Sequence, residues 1–272
     1  MSATAANIAS ATVTTVTPIL RATNITKRFG GLTAVNKVSL DVYPNEVVGL
    51  LGDNGAGKST FIKMISGVLQ PDSGEIYLQG RKVSFATPLE ARNGGIETIY
   101  QDLALCENLD AGANIFLGRE PTKTRLGLLK TVDRDYMLNE AGKVLQKLDI
   151  RIPDLRRPIR QMSGGQRQAV AIARAVYWNA KLMIMDEPTA ALGVPEQRKV
   201  LALVQTLRDQ GVPVIIISHN MQDVFAVADR LIVMRRGRKA AEKRVSDTSS
   251  DEVVGFMVGS GESVGDTNGE SE

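Results

Sequence analysis

The sequence predicts an α/β protein: a parallel core sheet flanked by helices, with a small antiparallel β subdomain ahead of it and a helical insert interrupting it. Three observations point there. Short continuous apolar runs at 46–51, 182–185, 214–218 and 231–234 have the pattern of strands buried on both faces. Helical segments at 195–210 and 220–229 separate the last three runs, the alternation of a doubly wound sheet. A glycine-rich turn at 52–59 joins the first run to a helix.

The elements follow in order. β-rich runs at 19–25 and 38–42 flank the Gly30 and Gly31 turn and predict a small antiparallel sheet. The strand at 46–51 enters the glycine turn, and a helix continues to about Gly67. Residues 75–85 alternate around Gly80 and read as a hairpin, and 95–100 as a short strand. From 109 to 176 the signal is mostly helical, apart from a Pro- and Arg-rich break at 153–158.

Composition narrows the chemistry. A chain of 272 residues, 43% hydrophobic and 23% charged, can form one large core or two small ones and is not wholly disordered. No stretch reaches the ~18 uncharged apolar residues of a membrane helix. A single cysteine, Cys106, excludes a disulfide framework and a cysteine-rich zinc site. The single histidine, His219, excludes HExxH zinc chemistry. Cys106 is expected in the core or an interface, and Trp178 at a helix end. The net charge of +3 combines a −4 tail at 261–272 with a +7 body, which is compatible with a polyanionic ligand. Residues 1–17 carry no charged side chain and lack the basic start of a secretory signal, so they read as a disordered leader. Residues 259–272 read as a disordered acidic tail. With one cysteine and no export signal, a cytoplasmic location is expected.

Three motifs carry chemistry. Gly52, Asp53, Asn54, Gly55, Ala56, Gly57, Lys58 and Ser59 fit GxxxxGK[ST], followed by Thr60. Glycines let backbone N–H groups wrap phosphates, and the helix that follows presents its positive dipole end. Lys58 is then positioned for the β- and γ-phosphates and Ser59 for Mg²⁺. Asp186 and Glu187 end the strand at 182–185, at the sheet edge where ligands of α/β proteins bind. Asp186 suits Mg²⁺ held through water, and Glu187 suits a base for the attacking water. Met162, Ser163, Gly164, Gly165 and Gln166 precede a helix running to about Trp178. Ser163 is a good N-cap, and the exposed N–H groups make a second phosphate-binding helix end. One chain needs only one such end for its own γ-phosphate, so the second is explained if it serves the nucleotide of a partner subunit.

In the order and spacing of these motifs, over about residues 18–258, the chain resembles the ATPase subunits of ATP-binding cassette (ABC) transporters. GDNGAGKSTFIKMISG (52–67), NIFLGRE (114–120), QMSGGQRQAVAIARA (161–175), DEPTAALGVPEQRKV (186–200) and ISHNMQDVFAVADR (217–230) are most similar to the ATPases of bacterial monosaccharide importers of the fructose and ribose type. The resemblance implies one P-loop cassette at 18–258, with a helical subdomain inserted at about 102–178. It implies hydrolysis of ATP to ADP and phosphate with Mg²⁺, the metal lying near Ser59, Gln101 and Asp186. It assigns Phe29 to stacking on adenine, Gln101 to sensing the γ-phosphate and reporting to a membrane partner, and His219 to the γ-phosphate. It implies a second ATPase subunit, in a homodimer that sandwiches two nucleotides, together with permease subunits and, indirectly, a periplasmic sugar-binding protein. Nucleic acid is not an implied partner. The implied location is the cytoplasmic face of the bacterial inner membrane. A transporter for another substrate, or a cassette ATPase outside transport, remains the alternative. The chain departs from the family pattern at Met162, where many cassettes have Leu, and at Gly193, where many have an Asp that links the two sites. The insert at 119–160 holds 11 Lys and Arg against 6 Asp and Glu, which suits a negatively charged surface or a solvated face.

Overall fold

The computed structural model describes residues 16–125, 129–190 and 192–260. Most of the expected leader (1–15) and tail (261–272), as well as Ala191, lie outside the described residues. Two long strands, β1 (Leu20–Phe29) and β2 (Leu32–Val42), pair antiparallel across the Gly30 and Gly31 turn. β3 (Val47–Leu51) is buried throughout and leads to α1 (Lys58–Ile65). The hairpin expected around Gly80 is β4 (Ser73–Leu78) and β5 (Arg81–Val83), which extends the first sheet to the order β2-β1-β4-β5. A short helix α2 (Pro88–Gly94), capped by Thr87 with Pro88 in its first turn, precedes β6 (Ile96–Ile99).

The stretch expected to be mostly helical is more mixed. It opens on α3 (Ala111–Ile115), capped by Asp110. A β-hairpin follows, β7 (Thr122–Arg125) and β8 (Leu129–Val132), whose register pairs Thr122 with Val132. Thr122 paired with Val132, and Thr124 and Thr131 on the same two strands, explain the departure, because β-branched residues favour the pleated conformation. α4 (Arg134–Lys147), a 3₁₀ turn at Ile159–Gln161 and α5 (Gly164–Tyr177) complete it.

The remaining elements are β9 (Leu182–Asp186), α6 (Val194–Asp209), β10 (Val214–Ile217), α7 (Met221–Val227), β11 (Arg230–Arg235), β12 (Arg238–Arg244) and α8 (Ser250–Val258). The central sheet runs β12-β11-β3-β10-β9-β6, with β12 alone antiparallel to its neighbour.

Both faces of this sheet are covered. Val47, Leu51, Met183, Met185, Val214 and Ile216 pack into the core beneath α3 to α7. Their alternates Val48, Leu50, Leu182, Ile184, Ile215 and Ile217 pack into a second core with α1 and the antiparallel sheet. The period of two, with both sets buried, is why these strands read as unbroken apolar runs.

Register delivers the motifs to one place. Ile217 sits beside Asp186 on one side and beside Leu50 on the other, and Ile99 sits beside Met185. The glycine loop after β3, Glu187 after β9, Ser218 and His219 after β10, and Gln101 after β6 therefore emerge along one carboxyl edge of the sheet. Behind them, Arg230 joins the two sheets, donating to both oxygens of Glu46 (2.8 and 3.1 Å), to Glu242 and to the Asp41 carbonyl.

Candidate active site

The loop at 52–59 wraps the N-terminus of α1. Gly57 has a φ of 101°, and a Cβ there would lie 2.5 Å from the Ala34 carbonyl oxygen, so only glycine fits. Lys58 folds back over the loop, and its Nζ donates to the carbonyls of Gly52 (2.6 Å) and Asp53 (3.0 Å). Burial lowers the Lys58 pKa, while the nearby charges of Glu187, Asp53 and Asp186 oppose that shift. Asp186 is shifted upward, first by burial and then by Glu187, with Lys58 pulling it back.

A cleft of 560 Å³ opens over the loop, lined by Asn54, Gly55, Ala56, Gly57, Lys58, Ser59 and Thr60. Phe29, a residue 48% exposed, stands on its rim, with Lys27 Nζ 5.8 Å from the ring centroid. An exposed aromatic at this point offers a flat face to a base. The same cleft is also walled by Thr33, Ala34, Arg236 and Gly237, which sequence reasoning missed. The only signal for the last two was a glycine in an arginine-rich turn.

Glu187 is held firmly. The His219 N–H donates to its Oε1 (3.0 Å), His219 Nδ1 lies 2.8 Å from its Oε2, and the Ser218 hydroxyl donates to Oε2 at 3.3 Å. Glu187 itself has a φ of 51°, a sparsely populated conformation for a non-glycine residue, of the kind found where a side chain must be aimed. A carboxylate has about four lone-pair positions, so Glu187 keeps acceptor capacity for a water. The His219 side chain is 80% exposed, open to a ligand on its other nitrogen.

The structure does not bring every sequence-predicted residue into the loop's cleft. Gln101, Ser163 and Gly164 line a neighbouring cleft of 430 Å³ together with Glu187 and Gly193. Gly165 and Gln166 border a third, beside Lys199. Ser163 caps α5 through a reciprocal box: the Gln166 N–H donates to Ser163 Oγ (3.3 Å) and the Ser163 N–H to Gln166 Oε1 (2.9 Å). The Gln166 side chain is thus turned onto its own helix end. Met162 is buried in the helical core, as an apolar residue replacing Leu should be. Gly193 is the N-cap of α6 and offers no side-chain cap. Cys106 is exposed rather than in the core, while its backbone is pinned at both N–H and C=O by Asn114. Trp178 ends α5, donating to the Ile115 carbonyl at 2.9 Å beneath the Arg119 guanidinium.

A buried strand entering a glycine loop that runs into a helix, with a lysine folded over the loop and an acidic strand end beside it, defines a nucleoside triphosphate-binding α/β protein of the P-loop class. The chain belongs to the ABC transporter family, whose pattern its residues 35–190 match. It is 46% identical to a fructose import ATP-binding protein of Rhizobium meliloti, over 90% of this chain and 95% of that protein. It is 48% identical to a xylose/arabinose import ATP-binding protein of Sulfolobus acidocaldarius, over 88% and 94%. A ribose import ATP-binding protein of Geobacillus kaustophilus is 42% identical over 87% of this chain, which spans 47% of that longer protein. Among solved structures, a nucleotide-free ATP-binding cassette of an ABC transporter superposes with a TM-score of 0.74 at 29% identity, covering 89% of this chain and 95% of that one. A dimeric cassette bound to ADP and phosphate superposes with a TM-score of 0.68 at 25% identity, covering 83% and 98%.

Proposed function

We propose that this chain is the ATP-hydrolysing subunit of a monosaccharide importer, a single cassette over 18–258 working as a homodimer against permease subunits. The observation that carries the reading is the Glu187 carboxylate clamped by His219 and Ser218 at the same sheet edge as the phosphate loop. A general base needs that fixed orientation toward one water. The sugar comes from the relatives, whose names specify fructose, xylose/arabinose and ribose import.

In this reading ATP lies in the cleft above the loop, its adenine against Phe29 and its phosphates on the amides of 52–60. Lys58 exchanges its loop carbonyls for phosphate oxygens. Glu187 takes a proton from the attacking water while His219 holds its carboxylate and faces the γ-phosphate. The donors suit Mg²⁺: the Ser59 hydroxyl, the Gln101 amide oxygen and the Asp186 carboxylate are hard oxygen ligands. Burial and then the neighbouring Glu187 raise the Asp186 pKa, and a bound cation would offset the repulsion between the two carboxylates. When bound, Mg²⁺ supplies neutralisation of charge on the β- and γ-phosphates. Ser163 caps α5 beside the cleft that Glu187 lines, so the N-terminus of α5 is a second anion-binding helix end that the nucleotide of a second cassette would use. The permease partner, the external sugar-binding protein and the cytoplasmic face of the inner membrane complete the proposal.

Glu187→Gln tests it. Steady-state ATP hydrolysis should fall by about 10²–10⁴-fold, and the variant should form a stable dimer in Mg-ATP by light scattering. Retained turnover, or a monomer under those conditions, would overturn the mechanism. Affinity purification from solubilised membranes, with co-purifying chains identified by mass, tests the importer. A polytopic permease with a sugar-binding protein is expected, whereas stoichiometric ribosomal or DNA-repair proteins would refute transport.

A further inference from the structure

The turn joining β11 to β12 is two residues long, Arg236 and Gly237, since Arg235 pairs with Arg238. Both turn residues have positive φ, 49° and 77°, the geometry of a type I′ hairpin. Asn followed by Gly is the favoured pair in such turns, because Asn tolerates the left-handed region and longer side chains resist it. An arginine in the first position breaks a local rule, and such breaks concentrate at functional sites.

The turn is also fixed in place. The Gly237 N–H donates to the Ala56 carbonyl in the phosphate loop (3.0 Å), and its own carbonyl accepts from the Asn36 N–H on β2 (2.7 Å). Arg236 and Gly237 both line the 560 Å³ cleft that holds Phe29 and the loop. Arg236 is exposed there, and among the described residues its guanidinium has no hydrogen bond, ion pair or ring partner. A strained backbone thus presents an uncommitted cation, on a rigid turn, to a cleft whose floor is built for phosphates.

We propose that Arg236 is a further nucleotide-binding residue, its guanidinium pairing with a phosphate oxygen of the triphosphate seated on the loop. The proposal rests on the nucleotide reading above and adds a contact from outside its recognised motifs. A guanidinium offers several donors in a fork that matches phosphate oxygens. The contact lies at the solvent edge of the cleft, so it contributes modestly and is screened by salt.

Arg236→Asn removes the charge while suiting the turn, and Arg236→Lys keeps the charge. Dissociation constants for Mg-ATP and Mg-GTP are measured on the full chain at about 50 and about 200 mM salt. Arg236→Asn should bind both nucleotides about three- to tenfold more weakly than the parent at low salt, with a flatter salt dependence. Arg236→Lys should recover most of the loss, and the nucleotide-free melting temperature of Arg236→Asn should be no lower than the parent's, because asparagine suits the turn. Binding by Arg236→Asn within twofold of the parent, at both salt concentrations, would overturn the proposal. A loss confined to ATP with GTP unaffected would overturn phosphate pairing in favour of stacking on the base. Failure of the parent chain to bind either nucleotide would instead refute the reading on which the proposal rests.

Discussion

Replacing Gly237 by alanine should cost the fold about 2–5 kcal/mol, although the residue lies outside every motif that the sequence displays. Two contributions combine. A φ of 77° places an L-residue in the left-handed region, at a cost of roughly 1–2 kcal/mol. The added Cβ would also lie 2.8 Å from the Ala34 carbonyl oxygen and 3.2 Å from its carbon, both backbone atoms of β2, which its pairing with β1 holds in place. Overpacking of this kind costs about 1–3 kcal/mol. If the turn relaxes instead, it stretches the hydrogen bonds to Ala56 and Asn36, each worth about 1 kcal/mol. Gly30 provides the control. It has a φ of 57° in the β1–β2 turn with nothing within 4 Å of a built Cβ, so Gly30→Ala should show the conformational cost alone, about 1–2 kcal/mol. Urea denaturation of both variants, analysed with a common m-value, gives the difference. Because Gly237 is bonded to the phosphate loop, its variant should also bind ATP more weakly. Equal destabilisation by the two substitutions would refute the argument that the β11–β12 turn is wedged against the loop.

Three further outcomes follow from the geometry. Arg230→Met leaves the half-buried Glu46 without its partner, while the exposed Glu242 keeps Lys239, and should destabilise by about 1.5–3 kcal/mol in urea; a loss below about 0.5 kcal/mol would show that the network contributes little. Asp186→Asn should raise the melting temperature of the nucleotide-free protein at neutral pH while abolishing Mg-ATP hydrolysis. Burial and Glu187 raise the folded-state pKa of Asp186, so its ionised form weakens the fold above that pKa, and the penalty fades as pH falls through it; the advantage of Asn should therefore vanish below about pH 4, and an advantage that persists there would refute the electrostatic cause. Ser163→Asp should keep the α5 cap, and with it the urea midpoint, yet lose ATP-dependent dimerisation by placing a carboxylate where a partner's phosphates are proposed to bind; dimerisation at the parental ATP concentration would count against that role.

The central strands and the glycine loop were legible because each is set by local chemistry: two-sided burial makes unbroken apolar runs, and phosphate-binding loops need glycines at fixed spacing. Elements governed by tertiary pairing were not. β12 has the composition Arg-Lys-Ala-Ala-Glu-Lys-Arg, which favours a helix, and it is a strand because β11 offers an unpaired edge. The hairpin of β7 and β8 is exposed on both faces along β8, so no apolar alternation marks it. At the site, the sequence pointed to Glu187 and His219 separately, but only the adjacency of β9 and β10 shows that one holds the other. Arg236 was invisible for the same reason: its place beside the loop depends on β11 lying next to β3.

Lys58 is engaged by the loop itself, since its ammonium rests on the carbonyl oxygens of Gly52 and Asp53. The loop therefore carries a stand-in for its own ligand. In the proposed reading a phosphate would take the place of these neutral oxygens on an ammonium that is already held and partly buried. Anionic oxygens win that exchange because charge-assisted hydrogen bonds are the stronger ones. Much of the side-chain entropy, about 2 kcal/mol for a lysine, is lost before the ligand arrives. Removing Lys58 would consequently release two loop carbonyls as well as the proposed phosphate contact, so a measured loss of affinity would be a difference between two states that both change.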